Sequence, residues 1–291
     1  MNYQQKYLKY KNKYLELKNQ IGGEGEGIHV WIGGSFSPPT IAHFMFAEQT
    51  ARYIKDKMMT DPADQITIHF VPANDYYTKD SVGCVTINDR MAMLQIGIDK
   101  LNSTNSKDNI LFKINTFEID RAKAVVGDEW YEKPISTYYS IQHFQPGANR
   151  EKVFFLQGED NVKCILNGSW KYSYDLIFNS NILCLPRNDD PSKSIPELFK
   201  AINLKKEDHN NLNEPKHTLE HTGHPDATAE QIIKKITVLP FTPSLISSTQ
   251  VRNEINKLRE SVDPDVLIYI LTKPGNPANA KTAGKPMYLG C

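Results

Sequence analysis

The chain has few cysteines, no long apolar run and no net charge, and each shortage excludes a class of protein. Its four cysteines stand far apart, with no CxxC pair and no histidine beside them at the spacing of zinc ligands. This distribution argues against a disulfide framework or a zinc site, and it predicts reduced thiols in the core. No run approaches the roughly eighteen apolar residues that a bilayer span needs, and the first twenty residues lack the apolar stretch of a secretion signal. We therefore expect a cytoplasmic protein without a membrane partner.

The charges cancel, since the 291 residues include 34 basic and 34 acidic side chains. A neutral chain lacks the basic field that draws proteins to nucleic acids, so no nucleic-acid partner is expected. The neutrality conceals an asymmetry, because residues 1–20 hold five lysines and one glutamate, whereas residues 28–272 hold 26 basic and 31 acidic side chains. An acidic body of this kind attracts no anion through its overall field, so any anionic ligand has to be held through local geometry and a few placed cations.

Residues 1–27 differ from the rest of the chain in composition. Their tyrosines recur at helical spacing among lysines, and a glycine-rich stretch follows at 22–27. We predict a basic helical extension and a flexible linker, in which the helix either docks loosely as a solvated segment or serves as a tether or coiled-coil arm. Tyrosine- and lysine-rich openings followed by glycines resemble those of proteins encoded by giant DNA viruses. The resemblance implies a viral source and, in that case, a location in the host cytoplasm.

Short β-branched or aromatic runs alternate with longer stretches that can carry crossover helices. The alternation predicts an α/β fold, a Rossmann-like doubly wound parallel sheet with helices on both faces, in a single catalytic domain. The domain spans 28–272, with an insertion at about 189–230 that carries at most one short helix, and a mobile tail occupies 273–291. Ligands bind such sheets at the carboxyl ends of the strands. The predicted strands are 28–32, 65–71, 112–118, 152–157, 182–185 and 236–239.

The first strand ends in a glycine-rich turn, GGSFSPPTIAHF, at 33–44. Gly33 and Gly34 allow the backbone to approach a phosphate closely, and a helix that begins near Thr40 would direct its free N–H groups at the same anion. Thr40 and His43 lie three residues apart, so a hydroxyl and an imidazole can both face that anion. The turn is neither a Walker loop nor a GxGxxG motif. Taken alone, His43 would more commonly be a core histidine with satisfied hydrogen bonds.

A second group of polar residues, LISSTQVR at 245–252, follows the last predicted strand. Ser247 or Ser248 can cap a helix, and Arg252, one turn later, can reach an anion held at the same helix start. The alternative for this segment alone is an ordinary capped helix with a solvated arginine.

Together the two motifs resemble those of the nucleotidyltransferase superfamily, and specifically of nicotinamide or nicotinate mononucleotide adenylyltransferases. Residues 246–249 and Arg252 match the second family motif without a substitution, and Thr40 leads the first motif as in eukaryote-type members. The resemblance continues in register over residues 28–271, and it includes Arg90 and Arg187.

The resemblance implies three sets of site residues. The catalytic set is His43, Thr40 and Arg252. The ATP-binding set is Gly33, Gly34, Ser35, Phe36, His43, Gly158, Asp160, Ser247, Ser248, Thr249 and Arg252. The mononucleotide-binding set is Ser35, Phe36, Lys79, Phe117, Thr137 and Trp170. For two of these residues a plainer role stays open, since Trp170 could be a core residue and Asp160 could cap a helix that begins at Asn161.

The resemblance also implies the reaction, in which the 5′-phosphate of the mononucleotide attacks the α-phosphorus of ATP and displaces pyrophosphate. Mg²⁺ would enter with ATP, so no metal site made of protein side chains is expected. Many members self-associate, which makes a homo-oligomer a further expectation.

Other interpretations remain open. A sister enzyme fits less well, because phosphopantetheine adenylyltransferases are much shorter and cytidylyltransferases differ in the second motif. A protein that kept the fold and lost turnover could use its basic arm to bind a partner, although the presence of Thr40, His43 and Arg252 argues against that. The histidines at 217, 221 and 224 suggest a metal site, but prolines and glycines around them favour a solvated loop.

Overall fold

The structure, a computed structural model, describes residues 27–59, 61–74, 85–124, 137, 140–141, 152–170, 172–187, 190–202, 228–241 and 255–273. The predicted extension before residue 27, the predicted tail after residue 273, and residues 203–227 of the predicted insertion lie outside these ranges.

The described part contains one sheet of six parallel strands in the order β3-β2-β1-β4-β5-β6. This order starts in the middle of the sheet and winds outward in both directions, which confirms the predicted doubly wound α/β fold. The strands are β1 (Ile28–Gly34), β2 (Ile66–Pro72), β3 (Ile110–Ile114), β4 (Val153–Gly158), β5 (Asn181–Leu185) and β6 (Ile236–Val238).

The prediction for the third strand is wrong at its end. The chain leaves the sheet after Ile114, and residues 117 and 118 already belong to a helix. The side chain of Asn115 accepts the backbone N–H of Phe117 at 3.0 Å, and the carbonyl of Thr116 accepts the N–H of Asp120 at 2.8 Å. These bonds close a helical turn, and the apolar pair at 117 and 119 gives no hint of it because it also fits a strand.

The helices cover both faces of the sheet. They are α1 (Ile41–Lys57), α2 (Ile87–Asn105), α3 (Phe117–Ala124), α4 (Glu159–Leu166), α5 (Ser173–Asn179), α6 (Ser194–Ala201), α7 (Ala229–Ile233), α8 (Ile255–Ser261) and α9 (Pro264–Thr272). None of the described helices is both long enough and apolar enough to span a bilayer.

Alternate residues of each strand point to opposite faces and so feed two separate cores. On one face, Val30 and Ile32 of β1 join a cluster that includes Phe44 of α1 and Leu94 of α2. On the other face, a second cluster contains Trp31, Phe155 and residues of α4 to α7. The first core therefore packs α1 and α2, the helices that begin near the ends of β1 and β2, against the sheet.

The beginning of the predicted insertion contributes to the second core. A 3₁₀ turn (Pro191–Lys193) leads into α6, whose Leu198 is fully buried. A further short helix, α7, starts at the end of the predicted insertion with a capping box formed by Thr228 and Gln231. The polar composition of the segment obscures these two helices because each buries only one narrow apolar stripe.

The two halves of the sheet separate between β1 and β4. Their ladder pairs His29 to Trp31 with Val153 to Phe155 and ends there, whereas β1 remains paired with β2 as far as Gly34. Strand β4 likewise stays paired with β5 as far as Gly158. The strand order reverses at this point, so a crevice is expected between the carboxyl ends of β1 and β4.

Candidate active site

The glycine-rich turn after β1 is shaped by two aromatic rings. A Cβ on Gly33 would stand 2.0 Å from Cη2 of Trp31, so the indole ring lies directly against the backbone at this position. A Cβ on Gly34 would stand 3.1 Å from the ring of Phe36. Packing against Trp31 therefore requires glycine at position 33. This requirement adds to the close approach of a ligand that the sequence suggested.

Phe36, whose ring lies against His43, has an unusual backbone conformation. Its φ of 46° is in the left-handed region, and its side chain is only 1 % exposed. The ring packs edge-on against the imidazole of His43, with centroids 5.3 Å apart, and against Phe70 of β2. A strained non-glycine residue of this kind persists only where its surroundings fix it, as they do here by burying the ring below His43.

Helix α1 begins at the turn, as predicted, with Thr40 as its N-cap residue. The backbone N–H of Thr40 donates to Nδ1 of His43 at 2.9 Å, and the Thr40 hydroxyl lies 2.7 Å from the same nitrogen. Because Nδ1 accepts an N–H, the proton of the neutral ring must be on Nε2. The Thr40 side chain is 1 % exposed, so it orients the imidazole from below.

Burial lowers the pKa of His43 to about 4. The imidazole is therefore neutral at physiological pH and offers Nε2–H as a hydrogen-bond donor. It stands beside the first turn of α1, where backbone N–H groups without helical partners create a positive electrostatic end. The arrangement suits an anion that is bound by donors and a helix dipole, with no formal positive charge on the histidine.

A second group of predicted residues lies at the ends of β4 and β5, beyond the point where β1 and β4 separate. Nε of Arg187 donates to Oδ2 of Asp160 at 2.9 Å, and both side chains are largely exposed. The Arg187 guanidinium also passes close to Gly158, since a Cβ on that glycine would be 3.7 Å from it. Asp160 is the second residue of α4, whose N-cap is Gly158, so the alternative role of Asp160 as the cap of a helix starting at Asn161 is wrong.

Sequence reasoning missed Glu159, whose hydrogen bonds connect the ends of β4 and β5. Its buried carboxylate accepts bonds from Nζ of Lys163 at 2.8 Å, the Ser194 hydroxyl at 2.6 Å and the backbone N–H of Arg187 at 2.9 Å. Burial alone would raise the pKa of Glu159, but these donors outweigh it and lower the pKa. Nothing in the Glu-Asp pair reveals from sequence which carboxylate turns inward.

The predicted mononucleotide residues Phe117 and Thr137 are both partly buried, the first at the start of α3 and the second in a helical segment. Their neighbours are joined by a buried hydrogen bond from the Ser140 hydroxyl to Oε1 of Glu118 at 2.7 Å. Burial raises the pKa of Glu118 to about 7, so this carboxyl changes charge near neutral pH. The family resemblance covers the pair Phe117-Glu118, but only Phe117 is a predicted site residue.

Trp170 lies in the turn after α4 and is partly buried. Its ring packs against the second core, with its centroid 6.4 Å from that of Phe155, and Phe155 in turn contacts Trp31 at 4.7 Å. Trp170 thus has a packing role, and its remaining exposed surface is available to a ligand.

Several predicted site residues fall outside the described ranges. They are Lys79, Ser247, Ser248, Thr249 and Arg252. Within the described ranges, no group of three or more His, Cys, Asp or Glu side chains is placed to hold a metal ion. The described parts of the two expected substrate sites are therefore the β1 turn with the start of α1 on one side, and the ends of β4 and β5 on the other.

The fold and these residues define a doubly wound α/β protein with polar side chains at its topological switch point. Two solved structures of nicotinic acid mononucleotide adenylyltransferase from Plasmodium falciparum, one complexed with NaAD and one with APC, are similar to this chain in fold. Each has a TM-score of 0.46 and 18 % sequence identity, and each alignment covers 84 % of this chain. The alignments cover 95 % of the chain in the NaAD complex and 94 % of the chain in the APC complex. No protein-family profile and no curated protein matches the chain.

Proposed function

We propose that the protein is an adenylyltransferase that joins ATP to nicotinamide or nicotinate mononucleotide, giving NAD or its deamido form and pyrophosphate. The observation that carries the proposal is the neutral imidazole of His43, which Thr40 orients at the start of α1 beside the glycine-rich turn. The match of residues 246–249 and Arg252 to the second family motif supports the same function.

The proposed reaction needs no nucleophile from the protein. An oxygen of the mononucleotide 5′-phosphate forms a bond to the α-phosphorus of ATP, the bond from that phosphorus to the bridging oxygen breaks, and pyrophosphate leaves with the bonding electrons. Catalysis then consists of aligning two anionic substrates and stabilising the charge that develops on the leaving oxygen.

The ATP phosphates are assigned to the start of α1. Nε2–H of His43 donates to a phosphate oxygen, and the backbone at Gly33, Gly34, Ser35 and Phe36 lines the cleft. A neutral donor suits this position because it stabilises developing charge without binding the triphosphate so tightly that pyrophosphate cannot leave. We assign Arg252 and the helix start at Ser247 to Thr249 to the departing pyrophosphate.

The sugars and the pyridine ring are assigned to residues that follow the carboxyl ends of the other strands. Asp160 has a largely exposed carboxylate that can accept ribose hydroxyls, and Gly158 beside it allows the substrate to lie on the backbone. Phe117 and Trp170 are assigned to the pyridine ring, Thr137 to the mononucleotide, and Lys79 to its phosphate. Mg²⁺ is part of the ATP substrate and is held by phosphate oxygens and water.

The direct test is incubation of the full-length protein with ATP, Mg²⁺ and either mononucleotide, with pyrophosphate release and dinucleotide formation measured together. Parallel release of pyrophosphate and formation of NAD or its deamido form is the expected result. The ratio of kcat/KM for the two mononucleotides assigns the preferred substrate.

The alternative is a catalytically silent protein or a sister adenylyltransferase that takes another phosphate acceptor. If neither mononucleotide is turned over but calorimetry shows tight ATP binding, a nucleotide-binding role is favoured. Turnover with phosphopantetheine in place of the mononucleotide would assign the sister activity.

A further inference from the structure

Arg90 is the largest fully buried side chain among the described residues, and it carries a charge. It belongs to the first turn of α2, and one of its nitrogens, Nη1, donates to two backbone carbonyls: Ser35 at 2.9 Å and Ala73 at 2.7 Å. A buried guanidinium is costly unless it is hydrogen-bonded, so these contacts are integral to the fold around it.

The two carbonyls belong to different loops. Ser35 follows β1 in the glycine-rich turn, and Ala73 follows β2, six positions before Lys79 in the sequence. The parallel ladder of β1 and β2 ends at the pair Gly34 and Pro72, and the N–H of Ala73 then donates to the carbonyl of Gly34 at 2.9 Å. Arg90 therefore joins the two strands just beyond the last rung, where the backbone would otherwise diverge.

Helix α2 is itself held firmly. Asp89, next to Arg90, accepts the Thr86 hydroxyl at 2.6 Å on one oxygen and the Tyr269 hydroxyl of α9 at 2.8 Å on the other. Farther along α2, a Cβ on Gly97 would stand 2.2 Å from the ring of Phe44, so α1 and α2 pack in close contact. Helix α1 carries His43, so the helix that holds Arg90 is also fixed against the helix that holds the proposed donor.

We propose that Arg90 is a positioning residue for adenylyl transfer: its guanidinium holds the glycine-rich turn, assigned to ATP, at a fixed separation from the end of β2, after which the sequence continues to Lys79, assigned to the mononucleotide phosphate. The inference rests on the function proposed above. Each substrate can bind without the other, but in-line attack requires the two at a fixed distance. A displacement of about 1 Å between reacting groups lowers the rate about a hundredfold.

The test compares Arg90→Lys with Arg52→Lys, which changes an arginine of α1 that is exposed and paired with Glu48 and Asp108. A lysine at position 90 keeps the charge, but its side chain is shorter and its ammonium lacks the fixed planar geometry in which Nη1 donates to both carbonyls. For folded Arg90→Lys protein we expect kcat to fall by about a hundredfold, while calorimetric dissociation constants for ATP and for the mononucleotide, each measured alone, stay within about threefold. Arg52→Lys should retain both kcat and binding.

Three outcomes contradict the inference in distinguishable ways. Unchanged kcat in folded Arg90→Lys protein overturns it and leaves the proposed function standing. A parallel rise in both dissociation constants without a fall in kcat assigns Arg90 a merely structural role. An unaltered protein that forms no dinucleotide overturns the proposed function, and the inference with it.

A measurement on the unaltered protein keeps the inference testable if Arg90→Lys does not fold. We expect the backbone amide of Ala73 to exchange with solvent as slowly as the amides of β1 and β2, because the arginine closes the ladder at this point. Rapid exchange of that amide, typical of an open loop, would overturn the inference.

Discussion

The backbone N–H of Thr40 donates to Nδ1 of His43 at 2.9 Å, and this bond determines which nitrogen of the neutral imidazole carries the proton. The free nitrogen, Nε2, carries the proton and is available as a donor. The ring remains neutral because burial lowers its pKa to about 4. His43 thus stabilises developing charge in the proposed reaction by hydrogen bonding and not as a cation.

Replacement of His43 by alanine should lower kcat by about a hundredfold or more, as expected for the loss of one preorganised donor to a reacting phosphate. The fold should be retained with some loss of stability, because the imidazole covers Phe36 and accepts the N–H of Thr40. Steady-state kinetics and a thermal melt check both statements. Gln49→Ala, an exposed change on the same helix, serves as the matched control, and full activity of His43→Ala would exclude the assignment.

The pH dependence of kcat/KM should show no break near pH 6.5 that depends on His43. The folded imidazole takes up a proton only near its lowered pKa of about 4, so its donor capacity is constant from about pH 5.5 to 8. The measurement is a pH profile of the unaltered protein beside His43→Gln. A break near pH 6.5 that disappears in the variant would contradict the neutral-donor role.

Trp170→Ala should raise KM for the mononucleotide by about tenfold, within the range of ring stacking on an aromatic side chain. KM for ATP should stay constant, because the tryptophan lies after α4 and away from the start of α1. Some loss of stability is also expected, since the ring packs against Phe155. Trp170→Phe should recover most of the affinity, and equal loss for both substrates would assign a packing role alone.

Gly33→Ala should destabilise the fold by about 1–3 kcal/mol or more, as overpacking does. The new Cβ would lie 2.0 Å from Trp31, whose indole cannot move aside because Phe155 packs against it at 4.7 Å. Gly158→Ala is the matched control, because its Cβ would be 3.7 Å from the flexible Arg187 side chain and its loss of stability should stay below about 1 kcal/mol. Urea unfolding at pH 7 measures both, and equal stability of the two variants would contradict the packing argument.

Stability should fall with acidification below about pH 6.5, partly through His69. Burial lowers the pKa of His69 well below its ordinary value, and Lys113 and His29 lower it further. The unfolded chain binds a proton near pH 6.5 and the folded chain does not, so the contribution of His69 is full above that pH and declines by about 1.4 kcal/mol per pH unit below it.

Urea unfolding of the unaltered protein and of His69→Gln at pH 5, 6 and 7 checks this statement. The variant should show a shallower decline, even if its stability at pH 7 is lower, because glutamine does not titrate. An identical decline in both proteins would show that His69 is not the source of the acid sensitivity.

Much of the fold follows from local patterns in the sequence. The β-branched runs separated by helix-length stretches predict six parallel strands, and all six are observed, with the third ending before residue 117. The glycine pair, Thr40 and His43 predict a helix start at the end of β1, which is also observed. These features can be predicted from the sequence because the periodicity and the capping residues are contained within short segments.

The roles of individual side chains at the site are harder to predict from the sequence. Glu159 and Asp160 are adjacent and chemically alike, yet the first is buried and binds three donors while the second is largely exposed. The tautomer of His43 depends on one backbone N–H, and its low pKa depends on the packing around the ring. These outcomes are fixed by the surroundings of each side chain, which a single sequence does not specify.

Local sequence patterns are therefore sufficient to predict the strands, the glycine-rich turn and the helix that follows it. Three contacts become visible only in the folded protein: Trp31 covers Gly33, Glu159 accepts the backbone N–H of Arg187, and Arg90 joins the ends of β1 and β2. The physical reason is that the first set rests on local hydrogen bonds and hydrophobic periodicity. The second set mostly rests on contacts between distant segments, such as Arg90 with Ser35 across 55 positions of the chain, and these exist only once the sheet has brought the segments together.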